Sequence, residues 1–226
     1  MQATSIRQRV TELNNVTVED TTGLKLYAAG ASVSLSTAKV TLAVGGDGAL
    51  TNLVDDGTQV QWVDADLPFG LFAYRVLNES DWVPFTYAYI NGHSEAAGFC
   101  KPGSNNFSES THFFPQAAAI YSNGLDTVVV QATMPARCVE RYGAPATVSF
   151  KYTFARDGSN NVVISLVAKL FSKSPTMIGE SGKLLFAPAP KRTGPWRMDK
   201  LGQPVDPENV VVRHCTQPRP CGWMGS

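Results

Sequence analysis

The fold class this sequence predicts is all-β: an antiparallel β-sandwich, with a short helix at the N-terminus. Three observations lead there. Apolar and polar residues alternate over several short runs. Clusters of Gly, Asp, Asn and Pro separate those runs. The 3.6-residue helical period is missing beyond the first dozen residues. With 226 residues, 43 % of them hydrophobic, the chain has enough material for the core of one large β domain.

The elements follow in chain order. Ile6, Val10 and Leu13 share one helical face, so residues 1–20 are expected to carry a short helical segment. Val33 and Leu35 alternate with serines, and Val40, Leu42 and Val44 alternate with Lys39, Thr41 and Ala43. The apolar parity changes between the two sets, which requires a turn or bulge near Thr37. Residues 49–54 and 59–63 form the next pair, around Asp55-Asp56-Gly57. Residues 71–76, 85–90, 127–133 and 183–186 are further strands. The strongest alternation runs over residues 147–154, with Val148, Phe150, Tyr152 and Phe154 on one face. A polar loop with Asp157-Gly158 leads into residues 162–170, so these two strands should form a hairpin. Residues 94–115 read as a long irregular loop, and loops of that length usually have a function. The sandwich is expected over 21–212. Residues 213–226, rich in Pro, Cys and Arg, read as an irregular tail, with a truncated or frame-shifted gene model as the expectation.

Composition excludes several partners. There are 19 basic and 19 acidic residues, and only 17 % of the chain is charged, below the usual ~25 %. Nothing in that balance attracts nucleic acid. No apolar run approaches the ~18 residues of a membrane helix. There is no Gly-rich phosphate loop, no H-E-x-x-H and no nucleophile elbow, so no cofactor and no metal is expected. Cys100, Cys138, Cys215 and Cys221 lack paired zinc spacing. A Cys100–Cys138 disulfide and buried free thiols remain alternatives. The start of the chain lacks a signal-peptide pattern. Three glycosylation sequons, at Asn15, Asn78 and Asn106, favour an extracellular or secretory setting.

Carboxylate pairs and histidines are the candidates for chemistry. Asp64 and Asp66 stand two apart beside Trp62. On a strand that spacing puts both on one face, where two carboxylates can divide acid and base roles at a sugar bond. The alternative is a solvated strand end leading into a turn. His93 and His112 could face a carboxylate only if the long loop arranged them. Aromatics crowd residues 62–89, Tyr74 among them. Most aromatics are core, and one or two at a surface would stack on sugar rings.

Three segments carry a resemblance. Gly48-Ala49-Leu50-Thr51-Asn52-Leu53-Val54-Asp55 resembles the opening strands of the galactose-mutarotase-like sandwich of family-38 glycoside hydrolases, the α-mannosidases. Residues 66–75 (DLPFGLFAYR) and 196–207 (WRMDKLGQPVDP) resemble the closing region of a mostly fungal and bacterial family of glycoside-hydrolase-like proteins. The resemblance implies a layout of N-terminal catalytic barrel, helical segment, then this sandwich. It also implies that the zinc ligands and nucleophilic Asp lie mainly in the barrel, which no part of this chain resembles. No catalytic or metal residue is therefore carried over. The expected role is a non-catalytic sandwich that packs on the barrel. Asp64, Asp66, Tyr74, His93 and His112 are its candidate carbohydrate contacts. A free-standing carbohydrate-binding module and an aldose epimerase-like enzyme are the alternatives.

Overall fold

The computed structural model describes residues 19–64, 66–67, 69–78, 80–81, 109–189, 198–200 and 203–205. The chain divides into two compact units, Met1–Pro190 and Lys191–Ser226. In the second unit, β13 (Met198–Lys200) and β14 (Gln203–Val205) pair as an antiparallel hairpin.

The first unit is an antiparallel sandwich. Its larger sheet joins β1 (Lys25–Tyr27), β8 (Gln116–Ser122), β9 (Thr127–Thr133), β10 (Thr147–Arg156) and β11 (Val162–Phe171), in that order. A four-stranded sheet runs in sequence order through β2 (Ser32–Leu35), β3 (Val40–Val44), β4 (Leu50–Asp55) and β5 (Val60–Gln61). A three-stranded sheet sets β6 (Phe69–Leu77) between β12 (Gly179–Phe186) and β7 (Thr111–Phe113). Val63 and Pro188 form an isolated antiparallel bridge.

Alternation decides which face each strand buries. In β10, Val148, Phe150, Tyr152 and Phe154 are all fully buried, while Lys151 between them is exposed. They meet Val128 and Val130 of β9, Leu35 of β2, Leu42 of β3, and Phe72 and Tyr74 of β6 in one core. The parity change near Thr37 is the turn between β2 and β3, whose register runs from Ser32↔Ala43 to Leu35↔Val40.

Several elements depart from the sequence reading, β1 and the β13–β14 hairpin among them. Residues 136–142 form a helix, α1 (Ala136–Tyr142), which no alternation signalled. It buries Cys138 and Tyr142, four apart on one face, and stops at Gly143 in the left-handed region, φ 64. A side chain there would crowd Thr176 and Ser174. β7 lies inside the stretch read as irregular loop. β8 was not expected, because Ala117-Ala118-Ala119 carries no polar alternation. Cys138 is a buried free thiol that donates to the Pro135 carbonyl at 3.1 Å. Burial pushes its pKa up, which makes it a structural rather than a reactive thiol. The N-terminal helix, the 85–90 strand, Cys100 and residues 213–226 lie outside the described residues.

Candidate functional site

An apolar pocket of about 150 Å³ opens in the first unit. It lies between β11, the edge strand of the large sheet, and the inner strands β3 and β4 of the four-stranded sheet, where Val40 and Leu53 face it. Leu53 of β4, Phe69 of β6, and Val162 and Ile164 of β11 line it, with Trp62 and Pro188 at the rim. The Trp62 backbone is fixed on both sides. Its N–H donates to the Leu53 carbonyl at 2.8 Å, and its own carbonyl accepts from Ala189 N–H at 2.9 Å. Its ring stays 43 % exposed. Phe69 meets Phe186 edge-on, with centroids 5.2 Å apart. Phe186 is itself 47 % exposed, so the apolar surface continues past the pocket mouth.

The charged wall of this pocket is Asp55, and its charge is already matched. Arg156 grips it with two N–H groups, Nη2 to Oδ1 at 2.5 Å and Nη1 to Oδ2 at 3.1 Å. Gly57 N–H adds a third hydrogen bond at 2.9 Å. The same guanidinium donates to the carbonyls of Ala38 at 2.8 Å, Lys39 at 3.2 Å and Asn160 at 2.8 Å. One side chain therefore ties together three turns at this end of the sandwich. Both partners stand at the ends of apolar series. Arg156 continues the core-facing parity of Val148 to Phe154, and Asp55 follows Leu53 two residues on. That parity was the sequence signal for a buried pair. Asp55 also opens the expected Asp55-Asp56-Gly57 turn, and the pair with Arg156 is added to that role.

A second polar cluster sits between β6, β12 and α1. Tyr74 is buried, and its hydroxyl donates to Glu180 and lies 3.1 Å from the Tyr142 carbonyl. Lys173 Nζ and the Thr176 hydroxyl also reach Glu180, each at 2.9 Å. Tyr142 donates to Glu109 at 2.8 Å, and Arg137 holds that carboxylate through both oxygens. Burial, reinforced by Glu180, pushes the Tyr74 phenol far above its ordinary pKa. Tyr74 is thus a fixed hydrogen-bond donor inside the molecule, not a surface ring.

The sequence candidates do not converge. Asp64 and Asp66 are exposed in a turn, where Asp64 Oδ1 accepts from Asp66 N–H at 3.0 Å and the Asp64 carbonyl accepts from Leu67 N–H at 3.0 Å. This is the turn reading, and the strand-face pairing of the two carboxylates does not occur. His112 is exposed on β7 opposite Arg75 and stacks on Phe114. From Phe69, just past the Asp64–Leu67 turn, to Arg75 is six strand residues, or about 20 Å. His93 lies outside the described residues. Among the described residues no three His, Cys, Asp or Glu side chains gather as a metal site.

Comparison with known proteins places the chain. A family model described as Domain of unknown function (DUF5054) matches residues 4–162. The chain belongs to that family. No curated protein and no solved structure matches it. The match covers β1 to β10 and reaches the first residue of β11. The Asp55–Arg156 clasp, most of the pocket wall and the Tyr74 side of the polar cluster are therefore DUF5054 territory. Glu180 and Pro188 lie beyond the matched span.

Electrostatics of the DUF5054 domain predicts its acid response. Hydrogen bonding from Arg156 holds Asp55 well below the usual carboxylate range. Burial alone would raise Glu180, but hydrogen bonds from Tyr74, Lys173 and Thr176 outweigh it and the pKa is lowered. Asp81 behaves likewise: the Asn78 N–H, the Ser110 hydroxyl and Arg75 overcome its burial. A carboxylate with a depressed folded-state pKa contributes stability above its unfolded value, and that stability is lost as pH falls towards the folded value. The unfolding midpoint is expected to be flat from about pH 8 to 5 and to fall steeply below about pH 4. A midpoint scan by calorimetry checks this, and a fall centred near neutral pH would contradict it.

Proposed function

We propose that this DUF5054 sandwich is a non-catalytic module of a glycoside-hydrolase-like protein, and that it packs on the catalytic barrel through the apolar mouth beside β11. One observation carries the reading. Opposed residues of β10 and β11 share a face, yet their burial differs sharply. Phe154 and Val148 are 1 % and 0 % exposed, whereas their partners Ile164 and Leu170 are 36 % and 48 % exposed. The opposing layer covers β11 only in part: Val162 and Leu166 pack against the core, while Ile164 and Leu170 on the same face stay exposed among the described residues. The exposed surface at Ile164 continues into Trp62 and Phe186. Val163 and Val167 on the other face are also exposed. Among the described residues β11 pairs on one edge only, and its single charge, Lys169, is engaged by Glu19 at 2.6 Å. A long apolar edge of this kind is normally covered. An apolar, charge-poor surface suits a permanent interface. The dispersal of Asp64, Asp66 and His112 supports the same reading over an epimerase-like site.

A second reading rests on Trp62. Its half-open ring beside a pocket, with Asp64 and Asp66 exposed in the next turn, suits a sugar ring stacked on its C–H face. The two readings separate by titration. In sedimentation velocity, the barrel of a family-38-like glycoside hydrolase of this layout, supplied as a separate chain, is expected to bind the sandwich. Ile164→Lys is expected to weaken that binding at least tenfold, because it places an ammonium in an apolar contact. No binding to the barrel, together with an upward shift of the unfolding midpoint by one sugar, would replace the packing reading with the sugar-binding one.

A further inference from the structure

We propose that Asn78 is an N-glycosylation site, a property separate from the packing role above. Asn78-Glu79-Ser80 has the acceptor spacing, and the geometry of Asn78 and Ser80 fits that chemistry. The Asn78 side-chain oxygen accepts from Ser80 N–H at 2.9 Å and from the Ser80 hydroxyl at 2.6 Å. A backbone N–H can only donate, so the atom facing it is Oδ1, and Nδ2 is turned away. Nδ2 donates to none of the described residues. Two hydrogen bonds to Oδ1 stabilise negative charge there, which makes the amide N–H easier to deprotonate as nitrogen attacks. The contacts lie within the sequon, so the chain can form them before the domain folds.

The transfer balances with a lipid-linked oligosaccharyl diphosphate as donor. The Asn78 Nδ2–C1 bond forms and the C1–O bond to diphosphate breaks. The lipid diphosphate leaves with the electron pair, and a base takes one amide proton. Asn78 itself is partly exposed. Asn78 follows the last residue of β6, and Ser80 is exposed. The turn is held from beneath: Asp81 accepts from Asn78 N–H at 3.0 Å and from the Ser110 hydroxyl at 2.9 Å, and it pairs with Arg75 at 2.5 Å. The nine residues of β6 put about 30 Å between this turn and Phe69 in the pocket wall. A glycan here leaves the apolar mouth free.

The test is cell-free translation of the full chain, behind a cleavable signal, with microsomes that carry the donor. Peptide mapping of the protease-protected product after enzymatic deglycosylation reads each sequon separately. The expected result is conversion of Asn78 to Asp. Ser80→Ala is expected to abolish it and Ser80→Thr to preserve it. Asn78→Gln is expected to remove the mass of one glycan. Because Ser80→Ala keeps Asn78 and its backbone contacts, it guards against a folding artefact. An unmodified Asn78 in lumenal wild-type protein overturns the proposal, whatever happens at Asn15 and Asn106, and leaves the packing reading untouched.

Discussion

Replacing Arg156 with alanine is expected to lower the unfolding midpoint by about 10 °C. Among the described residues the guanidinium is the only side chain that bonds both Asp55 and the turn carbonyls of Ala38, Lys39 and Asn160. Lys39 and Asn160 are themselves held at positive φ, 51 and 65, where a side chain is uncomfortable. Removing Arg156 frees those turns and strands a buried carboxylate beside an apolar pocket. Arg156→Lys is expected to recover little, because one ammonium cannot supply the fork that grips both Asp55 oxygens. The difference between wild type and Arg156→Ala should shrink near pH 3, as Asp55 takes up a proton in the unfolded chain and in the variant while the clasped wild-type carboxylate stays ionised. Calorimetry at pH 7 and pH 3 measures both effects. A shift of under about 2 °C at pH 7 would mean that the clasp is a bystander.

Gly70→Ala is expected to cost about 2–4 kcal/mol. Gly70 sits inside β6 with φ 73, a conformation that a Cβ disfavours by roughly 1–2 kcal/mol. An added methyl would also overlap the hydroxyl oxygen of Tyr152. That hydroxyl is buried and finds no hydrogen-bond partner among the described residues. Two consequences follow. Tyr152→Phe is expected to be neutral or to stabilise by up to about 1 kcal/mol, since an unsatisfied donor is removed with little loss of packing. The double variant Gly70→Ala/Tyr152→Phe is expected to recover the overlap part of the loss but not the backbone part. Denaturant unfolding of the four proteins gives the cycle directly. Strict additivity would show that the methyl and the hydroxyl do not meet.

The parts of the fold that could be read in the sequence are those whose side chains take one face each. Val148 to Phe154, the β2–β3 parity change and the Asp157-Gly158 turn were visible because period-two alternation and turn chemistry are local. β8 was hidden because three consecutive alanines fit either face. α1 was hidden because seven residues are too few to establish a period, and Pro135 supplies no capping side chain. The site was less legible for a different reason. Tyr74 was singled out as a candidate surface aromatic, but its partner Glu180 is 106 residues away, and only the pairing of β6 with β12 brings them together. Asp64 and Asp66 allowed a strand-face pair or a solvated strand end leading into a turn, and the chain takes the turn. The open side of β11 could not be read from its own apolar run. Such a run looks the same whether the opposing layer covers it fully or, as at Ile164 and Leu170, only in part.

The central claim is that this open side is an interface, and hydrogen exchange along β11 tests it most directly. In the chain alone, the amides of residues 162–171 that do not bond to β10 are expected to exchange rapidly. On adding the glycoside-hydrolase barrel as a separate chain, the segment 162–171 and residues 62–69 around the pocket are expected to become protected together. Protection that appears elsewhere while β11 stays open, or full protection of β11 in the chain by itself, would contradict the account.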